Sequence, residues 1–198
     1  VCFSVDGRYI IATFDNGNFR EWNLKGEETK DFKSFTSRNA ISKPFHDNRI
    51  PFSSNSSIIR LRDETGNIIS ELNGHKGRIS AYAFSPDQKY ILTGSTDKTA
   101  RLWTFKGIPL QVFKGHEGTI TSVAFSPNGK YILTGSEDKT LRLWELKDKE
   151  IECFDEIDGE IVFTFFSQKE NEIFLASTNG IIYKSNLKTN QKQVIKDF

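Results

Sequence analysis

Two consecutive, nearly identical stretches, GHKGRISAYAFSPDQKYILTGSTDKTARLW ending at Trp103 and GHEGTITSVAFSPNGKYILTGSEDKTLRLW ending at Trp144, predict an all-β propeller of four-stranded antiparallel blades. Their offset is 41 residues, the same as between His75 and His116. A repeat of about 40 residues that opens on Gly-His and closes on Trp is one supersecondary unit that cannot bury its faces alone. Two further observations agree. Apolar runs within each repeat are short and separated by turn residues, and the same register extends, with decay, over the rest of the chain.

In the Trp144 repeat, TITSVAF reads as a first strand, SPNGK as a turn, YILTGS as a second strand, EDKT as a turn, LRLWEL as a third strand and IECFDE as the outer fourth. Pro127, Asn128 and Gly129 supply turn geometry that β-branched residues resist. Gly94 and Gly135 sit inside second strands and read as points of close backbone packing. A backward shift of 81 lays Phe84 on Phe3, Asp87 on Asp6, Tyr90 on Tyr9 and Trp103 on Trp22 without a gap. A backward shift of 41 places Arg60, Leu61 and Arg62 where Arg-Leu-Trp stands, and a forward shift of 41 brings Ser177, Asn179 and Ser185 to the places of Ser136, Asp138 and Trp144. The register therefore gives about five blades, over 1–33, 34–73, 74–114, 115–156 and 157–198, as one propeller domain or part of one. Ser34 to Pro51 lacks the apolar first strand of its neighbours and is the expected irregular stretch.

Composition narrows the function classes. With 27 basic and 26 acidic side chains the formal net charge is +1, so no global field draws the chain to nucleic acid or an anionic membrane. No apolar run approaches the length of about 18 residues that spans a bilayer, which argues against membrane insertion. The start VCFSVDGRYI does not read as a signal peptide. There is no Met, and Val1 falls where a strand is already under way, so the chain reads as a segment of something longer. Cys2 and Cys153 fall in different blades and are expected to be buried, reduced thiols, in keeping with a cytoplasmic setting.

His75, Ser95 and Asp97 have the residue types of a nucleophilic triad. His116, Ser136 and Asp138 repeat them at the same spacing, and in both cases Trp follows the Asp by six residues. A constellation that recurs once per blade builds the blade. These two repeats resemble WD repeats of the β-propeller family. The resemblance implies a hydrogen-bonded structural tetrad of His75, Ser95, Asp97 and Trp103, repeated as His116, Ser136, Asp138 and Trp144. In this arrangement the carboxylate holds one imidazole nitrogen, the serine hydroxyl meets the other, and the indole N–H finds a partner. The pattern erodes elsewhere, to Phe14, Asn16 and Trp22 in the first blade, Ser34, Ser54, Ser56 and Arg62 in the second, and Ile157, Ser177, Asn179 and Ser185 in the last.

Other chemistries fit poorly. STDKTARLW and SEDKTLRLW begin like the turn motif of propeller glycosidases but lack its Gly and place Trp one residue late, and no carboxylate pair tuned for hydrolysis stands out. The three histidines, His46, His75 and His116, are scattered without the close spacing of a metal-ligand set, and no phosphate-binding glycine loop is present. No catalytic residue, cofactor or metal is assigned. Lys184, Lys188, Lys192 and Lys196 form only a sparse basic group, too thin for a lipid or nucleic-acid site.

Function then falls to exposed loops on a rigid scaffold. The Gly-His loops and the turns between second and third strands are expected on one rim, the face that most often meets partner proteins in the resembled family. That rim carries Lys76, Arg78 and Thr96 in one blade, Glu117, Thr119 and Glu137 in the next, and Asp158 and Glu160 in the last, where Asp155 and Glu156 extend the acidic run. Two readings follow: a protein-interaction scaffold that binds proteins or peptides, in line with a signalling role, or purely structural blades that complete a larger, commonly seven-bladed ring whose other blades lie in the same parent chain.

Overall fold

The computed structural model describes residues 2–3, 9–13, 19–23, 28–32, 50–53, 57–62, 67–146, 150–155, 157–167, 172–187, 189 and 191–196. Every regular element among them is a strand, and every sheet is an antiparallel meander in sequence order. The chain divides into two compact units, Val1–Gly74 and His75–Phe198.

The first unit holds a four-stranded sheet of β1 (Cys2–Phe3), β2 (Tyr9–Thr13), β3 (Phe19–Asn23) and β4 (Glu28–Phe32), then a three-stranded sheet of β5 (Ile50–Ser53), β6 (Ile58–Arg62) and β7 (Ile68–Asn73). Trp22 and Arg62 lie in strands β3 and β6; Phe14, Asn16, Ser34, His46, Ser54 and Ser56 lie outside the described residues. Ile50 and Pro51, the end of the stretch expected to be irregular, instead open β5, where they pair with Arg62 and Leu61. A strand on the edge of the described sheet tolerates the missing proline N–H.

The second unit contains three complete sheets. The first comprises β8 (Ile79–Phe84), β9 (Tyr90–Ser95), β10 (Ala100–Thr104) and β11 (Pro109–Phe113); the second, β12 (Ile120–Phe125), β13 (Tyr131–Ser136), β14 (Leu141–Glu145) and β15 (Glu150–Phe154); the third, β16 (Ile161–Phe166), β17 (Glu172–Ser177), β18 (Ile182–Asn186) and β19 (Gln191–Lys196). Turn chemistry repeats with the sequence. Gln88 and Gly129 occupy the same left-handed position at φ 57° and 70°, as do Lys98, Lys139 and Gly180 at 68°, 65° and 80°.

Side chains alternate between the two faces of each sheet, and β9 and β13 are buried on both. Leu92, Ala100 and Leu102 of the first sheet pack against Ile120, Val123, Ile132 and Trp144 of the second. Leu133, Leu141 and Leu143 on the other face of the second sheet pack against Ile161, Ile173 and Leu175 of the third. Burying an isoleucine such as Ile161 stabilises the stack by roughly 1.5–3 kcal/mol. Cys153 departs from expectation: it is exposed, because β15 is the outer strand and its alternate residues Ile151 and Cys153 both face solvent. The Cys2 side chain lies outside the described residues.

Strand glycines set the distance between sheets. A Cβ at Gly94 would meet Ile120 Cγ2 at 2.5 Å, and one at Gly135 would meet Ile161 Cγ2 at 2.5 Å. Both isoleucines are fully buried and β-branched, so neither can swing aside. Gly135→Ala should therefore cost about 1–3 kcal/mol in urea unfolding. Ile161→Ala should cost less in that background than alone, because the two changes relieve one contact.

Candidate functional site

The rim loops rest on a buried polar chain whose polarity follows from donor inventory. The Trp103 indole N–H can only donate, and it does so to Thr93 Oγ1 at 2.8 Å. Thr93 Oγ1 lies 2.7 Å from His75 Nε2, nearer than its other acceptor, Arg101 O, at 3.3 Å. The ionised Asp97 carboxylate can only accept, so the neutral imidazole carries its proton on Nδ1, which donates to Asp97 Oδ2 at 2.8 Å, and Nε2 accepts from the Thr93 hydroxyl. Asp97 also accepts from the Lys76 N–H at 2.9 Å, the Thr99 N–H at 3.0 Å and the Thr99 hydroxyl at 2.6 Å. The second repeat copies this chain. Trp144 Nε1 and His116 Nε2 meet Thr134 Oγ1 at 2.9 and 2.7 Å, and Asp138 accepts from His116 Nδ1, the Glu117 N–H, the Thr140 N–H and the Thr140 hydroxyl at 2.8, 2.8, 2.9 and 2.7 Å.

The hydroxyl of this chain is Thr93 or Thr134, not Ser95 or Ser136 as the sequence suggested. Both hydroxyls of Thr-Gly-Ser face the same side of the strand, but the threonine lies one pleat deeper, level with the indole and the far edge of the imidazole. Ser95 and Ser136 stand at the strand end and accept instead from the turn N–H groups of Asp97 and Asp138, each at 3.1 Å. Sequence reasoning also passed over Thr99 and Thr140. The signal was there, since Asp-Lys-Thr recurs in both repeats.

Carboxylate, imidazole and hydroxyl are linked as in a nucleophilic triad, yet substrate has no access. Thr93, Thr134 and the His75 side chain are 0% exposed, and an indole N–H already occupies each threonine oxygen. Among the described residues no group of three or more His, Cys, Asp or Glu could hold a metal ion.

Electrostatics reinforce the chain. Desolvation raises the Asp97 and Asp138 pKa values, but it is outweighed by hydrogen bonds from Thr99, His75 and the Lys76 N–H in one case and from Thr140, the Glu117 N–H and His116 in the other, leaving each carboxyl at about 2. Burial pushes both imidazoles below the ordinary histidine value, against the pull of their aspartates.

Each loop is pinned to its neighbouring turn. The Thr96 N–H donates to Arg78 O at 2.8 Å, Glu137 N–H to Thr119 O at 3.0 Å, and Thr178 N–H to Glu160 O at 2.8 Å. Lys76, Arg78, Glu117, Glu137, Asp155, Asp158 and Glu160 are exposed, Thr96 and Thr119 half-buried, and Glu156 lies outside the described residues. The inner strands β8, β12 and β16 pack side by side, which brings the three loop and turn pairs to one edge of the unit.

The third sheet holds its loop by other means. Ile157, Leu175 and Tyr183 occupy the places of His116, Thr134 and Arg142 and join the apolar core. The Tyr183 hydroxyl accepts from the Asp158 N–H at 3.1 Å, and the Asn179 side-chain amide donates to Asp158 Oδ1 at 2.8 Å.

Residues 66–104 and 107–145 match the family described as WD domain, G-beta repeat. These two repeats are WD repeats. Its similarity to Nuclear distribution protein PAC1-2 of Uncinocarpus reesii is 32% identity over 127 residues, covering 52% of this chain and 28% of that protein. Transcription initiation factor TFIID subunit 5 of Drosophila melanogaster is 30% identical over 101 residues, covering 51% of this chain and 13% of that protein, and WD repeat-containing protein 36 of Homo sapiens is 31% identical over 104 residues, covering 50% and 12%. The chain thus spans less than a third of the length of these relatives. WD-repeat proteins serve in general as protein-interaction scaffolds without catalysis of their own.

Two outcomes follow for these WD repeats. Thr93→Val should lower stability by about 1–3 kcal/mol in thermal or urea melts, by leaving an indole donor and an imidazole acceptor unpaired; Thr93→Ser should keep most of that stability, and Ser95→Ala should cost less than Thr93→Val. Stability should also depend on pH. Folded pKa values lie below unfolded ones for both histidines and both aspartates, so their contributions are complete above about pH 6.5. The histidine contribution should fall as pH drops below that value, and the aspartate contribution should fall between about pH 4 and about pH 2. Melting temperatures measured from pH 8 to pH 2 in wild type and in His75→Gln should separate the two stages.

Proposed function

We propose that this chain is a non-catalytic WD-repeat scaffold whose rim binds partner proteins, with the acidic side of the rim receiving a basic peptide or protein surface. The observation that carries the reading is the change of sign across loops that hydrogen bonds hold rigid. Lys76 and Arg78 give way to Glu117 and Glu137 and then to Asp158 and Glu160, all exposed on one edge. Fixed loops lose little entropy on binding, so charge placed on them converts efficiently into specificity and association rate. The names of the relatives agree with work inside assemblies: one is a subunit of a transcription initiation factor.

A fluorescent peptide rich in lysine and arginine is the probe. Wild type should bind it with an affinity that falls as salt rises. Asp158→Lys combined with Glu160→Lys should weaken binding at least tenfold, and Lys76→Glu combined with Arg78→Glu should leave it unchanged or stronger. Binding untouched by reversal at Asp158 and Glu160 would exclude the acidic rim as the site.

A further inference from the structure

Four positions recur at the repeat spacing on the rim of the second unit, two in the loop before the inner strand and two in the turn between the second and third strands. The first sheet places Lys76, Arg78, Thr96 and Lys98 there, the second Glu117, Thr119, Glu137 and Lys139, and the third Asp158, Glu160, Thr178 and Gly180. From the first sheet to the third, charge falls at three of these positions and rises at none. The first sheet thus presents three cations, the second two carboxylates beside one ammonium, and the third two carboxylates alone. Counting the hub carboxylates Asp97 and Asp138, whose place in the third sheet is taken by Asn179, leaves the first sheet net positive and the other two net negative.

The eight charged side chains at these positions are all exposed, and among the described residues none of them pairs with an opposite charge. Elsewhere the chain does form such pairs, Arg60 with Glu71 at 2.7 Å and Lys89 with Asp87 at 3.4 Å. The backbone beneath the rim charges is fixed. The Lys76 and Glu117 N–H groups donate to Asp97 and Asp138 at 2.9 and 2.8 Å, the Asp158 N–H to the Tyr183 hydroxyl at 3.1 Å, and the Glu160 N–H to Thr178 Oγ1 at 3.0 Å. A step in charge along a rigid edge is a field of fixed direction, and a partner with the opposite order of charge gains along its whole length.

We infer that the rim takes one extended polypeptide segment carrying an acidic block and a basic block, with the acidic block over Lys76, Arg78 and Lys98 and the basic block over Glu117, Glu137, Asp158 and Glu160. The inference rests on the rim as the binding face, and adds to that reading the other half of the ligand and its orientation. A wholly basic segment is attracted by the second and third sheets and repelled by the first, so part of what it gains at one end is lost at the other. Repulsion of this kind rejects wrong partners and fixes the register of the right one. The formal net charge of +1 supplies no long-range field to compete, which leaves the local pattern to orient the segment.

Two fluorescent peptides of equal length, titrated against the full chain, test the inference: one with a glutamate block, a Gly-Ser linker and a lysine block, the other with lysine in both blocks. The bipolar peptide should bind at least tenfold more tightly, with an advantage that shrinks as salt rises. Lys76→Glu combined with Arg78→Glu should abolish that advantage without lowering the melting temperature. A nitroxide on the acidic end should broaden the amide resonances of Lys76 and Arg78 and spare those of Asp158 and Glu160. A bipolar peptide that binds no better than the basic one, that keeps its advantage in the Lys76 and Arg78 variant, or whose acidic end broadens Asp158 and Glu160 would overturn the inference. In each of those cases the basic peptide separates the two readings: binding still weakened by reversal at Asp158 and Glu160 leaves the acidic rim standing, and binding indifferent to that reversal removes both.

Discussion

The carboxylates of Asp97 and Asp138 are the point on which the rest of the second unit turns. Each gathers four hydrogen bonds from three directions: the imidazole that runs down to the buried Thr and Trp, the backbone N–H of the rim loop, and the N–H and hydroxyl of its own turn. Remove the carboxylate and the loop loses its tether while the imidazole loses its orienting partner. A polar chain this deep is stable only because every member is satisfied. The constellation resembles catalytic machinery because the physical demands are alike, a directed imidazole between an anion and a hydroxyl. Burial of Thr93 and occupation of its oxygen by an indole turn the same parts into a strut.

Packing between sheets supplies the second constraint. The isoleucine of one sheet fits the glycine notch of the last, the Ser80 and Thr121 hydroxyls donate to Ile120 O and Ile161 O of the next sheet, and leucines fill the remainder. Repetition of one contact makes the stack quasi-one-dimensional, so a change in one sheet is felt mainly by its neighbours. The third sheet illustrates this division. On its inward face it keeps the contact through Ile161 and exchanges the polar chain for Ile157, Leu175 and Tyr183, so apolar packing takes over the role of the network. On its outward face Phe163 and Phe165 stand where β12 has Ser122 and Ala124, and this face becomes aromatic.

Much of this was legible in the sequence. The repeat, the strands of the second unit and the closeness implied by Gly94 and Gly135 follow from period, alternation and turn residues, which act locally and leave marks at fixed spacing. What resisted reading is what depth and context decide. Thr93 and Ser95 present the same group on the same side of one strand, and spacing does not tell which is level with the indole. Tyr183 could not be foreseen as a tether because its partner is a backbone N–H that any residue at Asp158 would offer. Cys153 looked buried because the repeat places it in a strand, whereas the outer position of that strand turns it to solvent. Pro51, at the end of the stretch expected to be irregular, is tolerated in β5, which pairs only with β6 among the described residues.

The central claim is that the aspartate hubs weld exposed rim loops to the blade interior. Amide hydrogen exchange at Lys76 and Glu117 tests it most directly, since both residues are exposed while their N–H groups bond Asp97 and Asp138. Protection comparable to that of the β9 and β13 amides, lost together with theirs as denaturant is added, is the predicted result. Exchange at the rate of a solvated loop while β9 and β13 stay protected would contradict it.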